Sequence, residues 1–296
     1  MNIEIKGLSK VYPNGHAAIQ DINLEIGSGM FGLLGPNGAG KSSLMRTLVT
    51  IQKASGGTIL MDGKDINKYR NEIRPLIGYL PQDFTFFSKL KTWEFLDYAA
   101  KLSTLHKKKQ RRIEVDRMLD QVGLLDVRDR LANKLSGGMK RRLGIAQALI
   151  GNPRLLVIDE PTTGLDPEER IRFRNILSDL SQKDVTIILS THIVGDISST
   201  CHNMAMLHQG QVAFAGAPEG MIDQVREHIW QVVLSNEEFN DLKNKYPVIS
   251  TIPTSGKWET QLIANEKPHA EAYNIEPNLE HAYVYFMENK LGISLV

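Results

Sequence analysis

The sequence predicts an α/β fold followed by a small α+β domain. Three observations predict it. Short β-rich apolar runs alternate with helical patterns over residues 1–219. A Gly35-Pro36-Asn37-Gly38 breaker cluster separates one such run from the helix after it. The charge balance then reverses beyond Gly216: residues 1–219 hold 29 Lys and Arg against 23 Asp and Glu, and residues 220–296 hold 6 against 11.

Each element has its own signal. Ile3–Ile5 and Ile19–Ile26 alternate polar and apolar residues as strands do, the second with Ile22, Leu24 and Ile26 on one face. Phe31–Leu34 is a short apolar run, and Thr58–Met61 and Ile77–Leu80 are further strands. Leu155–Ile158 and Val185–Leu189 are continuous β-rich runs of the kind buried on both faces of a parallel sheet. Helical patterns cover Leu44–Thr50, Thr92–Leu105, Ile113–Val122, Lys140–Ile150 and Pro167–Leu180. Gly216-Ala217-Pro218 marks a boundary, giving domains 1–219 and 220–296. In the second, Ile229–Leu234 reads as a strand, Glu237–Tyr246 as a helix and Val248–Ala264 as a hairpin. Pro277-Asn278 opens a last helix whose Leu279, Ala282, Tyr283, Phe286 and Met287 form an apolar stripe, expected to pack on that domain's own sheet.

Composition narrows the function classes. With 296 residues, 42% hydrophobic and 23% charged, the chain reads as globular rather than disordered, collagenous or disulfide-stapled. No run approaches the ~18–20 apolar residues that a membrane helix needs. The first residues alternate like a strand and lack the apolar core of a signal peptide. Cys201 is the one cysteine, so a reducing cytosolic setting is expected. Net charge is +1, and the run Lys107-Lys108-Lys109-Gln110-Arg111-Arg112 has no second basic run beside it. A nucleic-acid surface is not expected. That run reads as a solvated helix end or as a contact for anionic lipid head groups.

Gly35 to Ser42 fits the spacing G-x-x-x-x-G-K-[ST], with a strand before it and a helix from about Lys41 after it. Glycines let such a loop bend so that successive backbone N–H groups point at phosphate oxygens. The helix N-terminus adds partial positive charge. Lys41 supplies a full charge to the terminal phosphates, and the Ser42 hydroxyl suits Mg²⁺. The competing reading is a chance glycine-rich turn, which the strand–loop–helix context disfavours.

The run Leu155–Ile158 ends in Asp159-Glu160. A buried parallel strand delivers its last residues to the carboxyl edge of the sheet, where ligands sit in open α/β folds. Asp159 there suits Mg²⁺, and Glu160, facing elsewhere, suits a base that polarises water. Taken alone, the pair reads equally well as a helix cap.

Between these motifs lies Leu135-Ser136-Gly137-Gly138-Met139-Lys140-Arg141-Arg142. By itself it is an ordinary helix start. With its neighbours it resembles the signature of ATP-binding-cassette ATPases, and the remaining parts follow in order. Tyr12 matches the aromatic that stacks on adenine, Gln82 the Q-loop glutamine, Gly164-Leu165-Asp166-Pro167 the D-loop, and His192 the switch histidine. The resemblance spans residues 1 to about 219. It implies a P-loop NTPase cassette with a RecA-like core, an N-terminal antiparallel β-subdomain and a helical subdomain at about 83–150. It also implies ATP and Mg²⁺ as ligands. Asn37, Gly38, Ala39, Gly40, Lys41, Ser42 and Ser43 would hold the phosphates, and Ser42, Gln82 and Asp159 the metal. Ser136, Gly137 and Gly138 would reach a nucleotide held by a second, head-to-tail subunit, most simply an identical one. Glu160, His192 and Gln82 would carry hydrolysis, and Asp166 would couple the two sites. Met139 stands where glutamine is commonest, at a position not expected to touch phosphate.

The same resemblance implies separately encoded permease subunits and a place on the cytoplasmic face of the membrane. Phe84, Phe86, Phe87 and Trp93 read either as core of the helical subdomain or as a groove for a permease helix. The tail, with Asn278-Leu279-Glu280-His281-Ala282-Tyr283, resembles the extension of single-cassette export ATPases, so export is the expected direction. A soluble cassette acting on ribosomes or DNA is the alternative, as is a regulator that binds ATP without hydrolysing it. The chain has one cassette and no coiled-coil insertion, and every catalytic position is filled. Cys201 reads as a small core residue on a helix after His192.

Overall fold

The computed structural model describes residues 1–86, 89–103, 105–183 and 185–292, which divide into two compact units, Met1–Ala215 and Gly216–Val296. The first unit opens with strands β1 (Ile3–Val11), β2 (Ala17–Ile26) and β3 (Met30–Leu34), then helix α1 (Lys41–Leu48). It continues through β4 (Gly56–Met61), β5 (Lys64–Asp65), α2 (Arg70–Ile73) and β6 (Ile77–Leu80). Three helices follow, α3 (Thr92–Leu102), α4 (Lys108–Gln121) and α5 (Gly137–Leu149). The unit closes with β7 (Leu155–Asp159), α6 (Pro167–Ser181), β8 (Thr186–Thr191), α7 (Val194–Ser198), β9 (Asn203–His208) and β10 (Gln211–Gly216).

Among these residues, β2-β1-β4-β5 form an antiparallel sheet, and β10-β9-β3-β8-β7-β6 form a second sheet whose central pairs are parallel. The alternating β1 and β2 bury Ile3, Ile5, Ile22 and Ile26 on one face, while β3, β7 and β8 are buried throughout their length. Helix α1 fills the layer between the sheets with Leu44, Met45 and Leu48, against Leu33, Val157 and Ile188. The first unit is therefore built on one large core, and the strand ends that frame the site are anchored in it.

The helices α3, α4 and α5 pack on one another, and α5 also lies on β6. A Cβ at Gly78 would collide with the Ala148 carbonyl, so glycine there is what allows the close approach of helix to strand. The aromatic run is a packing cluster: Phe84, Phe86 and Phe95 have ring centroids 4.6–6.0 Å apart in edge-to-face geometry. Phe87 lies outside the described residues. A groove of about 560 Å³ does exist, but α3, β6 and α5 line it with Phe95, Tyr98, Leu102, Tyr79 and Gln147. Phe84, Phe86 and Trp93 are not part of it. The basic run divides too, because Arg111 turns inward to pair with Asp97 at 2.9 Å and to donate to the His106 carbonyl.

The second unit contains α8 (Pro218–Ile222), β11 (Ile229–Leu234), α9 (Asn236–Lys243), β12 (Val248–Thr254), β13 (Lys257–Ile263), β14 (Tyr273–Asn274) and α10 (Leu279–Tyr285). The sheet order is β12-β13-β11-β14, all antiparallel. Ser235 and Glu238 form a capping box on α9, whose Phe239 and Leu242 cover Val232, Leu234 and Leu262. The last helix, with its apolar stripe, packs within this unit. It lies mainly against α8 and the turn Asp223–Val225. One face of the sheet is covered by α9, and the other carries Gln231, Glu259 and Gln261, joined by hydrogen bonds of 2.7–3.0 Å, beside the buried Ile229 and Ile263. Only His281 of α10 joins that network in the described contacts, 3.1 Å from Gln261 Oε1.

Cys201 follows α7 rather than lying on it, and its Sγ faces Gly32. Burial pushes the thiol up to about 11. At pH 8 only about 0.1% is thiolate, so the native chain is expected to resist maleimide at least ~100-fold longer than an exposed cysteine. Stopped-time labelling with and without guanidinium checks this. Gly78→Ala is expected to lower unfolding free energy by about 1–3 kcal/mol in urea titration.

Candidate active site

Strand register builds the site. In the parallel sheet Leu34 pairs with Thr191, Asp159 with Ser190 and Leu80 with Ile158. The next residues along these strands are the phosphate-type loop, Glu160, His192 and the Gln82 segment. Four stretches far apart in sequence thus leave the same edge of one sheet.

At that edge Tyr12, Asn37, Gly38, Ala39, Gly40, Lys41, Ser42, Ser43, Gln82 and Glu160 line one cavity of about 320 Å³. The loop reaches α1 through Gly40 in the left-handed region at φ 101°, where a Cβ would strike the Ala18 carbonyl. Lys41 is 4% exposed, and its Nζ donates to the Gly35 carbonyl at 2.6 Å and the Pro36 carbonyl at 3.0 Å. It also lies 3.2 Å from Glu160 Oε1. The Tyr12 hydroxyl is 3.0 Å from Ser43 Oγ and donates to Gln52 at 3.2 Å, which fixes the ring beside the loop.

Asp159 and Glu160 are adjacent carboxylates with separate surroundings. Asp159 is buried at the end of β7, where Oδ1 accepts the Ser190 hydroxyl at 2.6 Å. Glu160 adopts φ 46°, an uncommon conformation for a residue with a side chain, and so turns away from its neighbour. Its backbone N–H donates to Ser190 Oγ at 3.0 Å. Its Oε2 accepts from Thr163 at 3.3 Å and lies 3.1 Å from His192 Nδ1. The imidazole and the carboxylate are thus within hydrogen-bond distance of each other.

The remaining sequence-predicted residues stand elsewhere. Asp159 and His192 adjoin the cavity through Glu160 without lining it. Ser136 caps α5, accepting the Met139 N–H at 3.2 Å, and Ser136 and Gly137 are exposed. Asp166 caps α6, accepting the Glu169 N–H at 2.8 Å, and is also exposed. The structure brings neither turn into the cavity of its own chain. Ser190 is a residue whose role sequence reading passed over, although it directly precedes Thr191-His192. His16, which lines the cavity and stacks on Tyr12 at 6.4 Å, is another. A histidine four residues beyond Tyr12 was the available signal.

Comparison with known proteins identifies the family. A family model described as ABC transporter matches residues 19–163. An uncharacterised ABC transporter ATP-binding protein from Synechocystis is 36% identical over 225 residues, 73% of this chain and 62% of that protein. The chain thus spans less than two thirds of that relative. The methionine import ATP-binding protein MetN 2 of Yersinia pestis is 37% identical over 224 residues, covering 73% of this chain and 68% of its own length. The lipopolysaccharide export system ATP-binding protein LptB of Haemophilus influenzae is 31% identical over 235 residues, 78% of this chain and 96% of its own. Among solved structures, cbiO1 from Clostridium perfringens superposes with a TM-score of 0.68 at 30% identity over 75% of this chain and 90% of that one. A dimeric cassette bound to ADP and Pi, at 24% identity, shares the fold with a TM-score of 0.67 over 73% of this chain and 98% of its own. With its glycine-rich loop, acidic strand end and His192 on one sheet edge, the chain belongs to the ABC transporter ATP-binding family of ATP-hydrolysing cassettes.

Proposed function

We propose that the chain is the ATPase subunit of a membrane exporter, working as a head-to-tail homodimer with separately encoded permease subunits on the cytoplasmic face. The observation that carries the dimer is the division of the machinery. Lys41, Glu160 and His192 form one connected group, whereas Ser136, Gly137 and Asp166 are exposed away from it. A second copy would present its Ser136 turn, a helix N-terminus with a serine hydroxyl, to the γ-phosphate from the far side. Among the described residues no helix is long and apolar enough to cross a membrane, so transport requires a partner. Relatives act in both directions, one in methionine import and one in lipopolysaccharide export. Export rests on the resemblance of the tail.

The chemistry follows from the contacts. A triphosphate entering the loop competes with Glu160 for Lys41. Once Lys41 turns to phosphate, Glu160 Oε1 is released to accept a proton from water as the water oxygen bonds to the γ-phosphorus, the bond from that phosphorus to the bridging oxygen breaks, and ADP leaves with the electron pair. Thr163 and His192 hold the other carboxylate oxygen so that the base stays aimed. Ser42, Gln82 and Asp159 offer only hard oxygen donors, which fits Mg²⁺. The metal, when held there, would neutralise charge on the phosphates. The groove beside α3, with Tyr98 46% and Leu102 71% exposed, has the apolar surface a permease helix needs.

Three measurements test this. Lys41→Ala is expected to abolish MgATP binding in equilibrium dialysis, and undiminished affinity would remove the loop assignment. Ser190→Ala, which takes one hydroxyl from both Asp159 and the Glu160 N–H, is expected to lower ATPase turnover by about 10–100-fold with the fold intact by circular dichroism. Glu160→Gln is expected to trap an ATP-bound dimer and, tagged, to recover a multi-span membrane protein from native membranes. Ribosomal or chromosomal proteins alone in that eluate would refute the transporter reading.

A further inference from the structure

Helix α5 carries two consecutive arginines that leave it in different directions. Arg141 donates to the Gln82 carbonyl at 2.6 Å and to the Pro81 carbonyl at 3.3 Å. Arg142 is 5% exposed, and its guanidinium meets both carboxylate oxygens of Glu169 at 3.2 Å. Its remaining donor closes on the carbonyls of Val122 and Gly123, each at 3.0 Å, at the end of α4. Arg172 reaches the same carboxylate only at 4.0 Å.

Glu169 is a junction. Its N–H is the group that Asp166 caps, so its backbone fixes the Asp166 turn. Its carboxylate holds Arg142 on α5 and also lies over Gly138, where a Cβ would collide with it. Residue 138 is therefore glycine for a reason within this chain, whatever it meets across an interface. A bidentate pair whose arginine is buried and whose carboxylate is only 17% exposed holds two elements in one geometry better than an exposed ion pair does, because two parallel hydrogen bonds fix the planes of both groups.

We propose that Glu169 and Arg142 are positioning residues for hydrolysis: they lock the Ser136–Gly138 turn to the Asp166 turn, so that both present to the partner's nucleotide as one rigid piece. The inference rests on the head-to-tail dimer proposed above. It requires no change in the chain's own phosphate loop, which lies on other elements, and this makes it separable by experiment.

The test is MgATP-driven dimerisation of full-length Glu160→Gln, followed by sedimentation velocity, with and without Glu169→Gln. MgATP affinity is measured in parallel by equilibrium dialysis at protein concentrations where the chain is monomeric. The expected result is a rise of about tenfold or more in the MgATP needed for half-dimerisation, with monomer affinity unchanged within about twofold. Equal dimerisation of the single and double variants would overturn the inference and leave the dimer standing. Failure of Glu160→Gln itself to dimerise would overturn both. If Glu169→Gln lowers the melting temperature by more than about 2–4 °C, Glu169→Asp takes its place, keeping the charge opposite Arg142 while withdrawing the carboxylate from Gly138. In that background Gly138→Ala is expected to dimerise better than Gly138→Ala alone. No rescue there would overturn the proposed seat of Glu169 on Gly138.

Discussion

Leu34 sits beside Thr191 and Asp159 beside Ser190 because β3, β8 and β7 are hydrogen-bonded in one parallel register. A slip of a single residue would turn Asp159 and Ser190 to opposite faces and separate the phosphate-type loop from Glu160. The register is held by burial: the three strands are inaccessible throughout, and Leu33, Val157 and Ile188 lie in the same core as α1. The loop, the carboxylates and the histidine inherit their spacing from that core. Their own contacts only refine it.

The refinement is electrostatic. Two acidic residues in sequence would repel if they faced one space. The left-handed backbone at Glu160 sends them into two, at a conformational cost of roughly 1–3 kcal/mol. Asp159 gains a hydroxyl donor from Ser190, while Glu160 gains Lys41, Thr163 and His192. Ser190 serves both, accepting the Glu160 N–H as it donates to Asp159. Strain of this kind persists only where surroundings over-determine it, and four separate partners do so here.

Legibility in the sequence followed the range of the interaction. The loop was readable because its residues are contiguous and its chemistry dictates glycine and lysine at fixed spacing. Buried strands were readable as apolar runs, although β9, with Met204, Ala205, Met206 and Leu207 all buried, was passed over between Cys201 and a Gln-Gly turn. Three features were not readable. The Arg142–Glu169 pair joins residues 27 apart, and no local pattern distinguishes Arg142 from the exposed cations near it. The partition of Arg111 from the lysines before it depends on Asp97, on another helix. The stripe on α10 declared that it would be buried but not that α8 and the turn Asp223–Val225 would lie against that helix.

The two arginines after Met139 show how a helix start becomes part of a machine. A serine-capped turn is an exposed and weakly held feature: the Ser136 contact to Met139 is 3.2 Å and open to water. What fixes its position is placed behind it, in Arg141 gripping the Gln82 backbone and Arg142 gripping Glu169. Gln82 lines the chain's own cavity, while Glu169 carries the cap of Asp166. The turn is thereby connected through α5 to the near site on one side and to the D-loop-like turn on the other. In the proposed dimer, displacement of α5 by a nucleotide on the far subunit has no path of relaxation that leaves both Gln82 and Asp166 in place. Coupling between the two sites then follows from two side-chain clamps on one rigid helix.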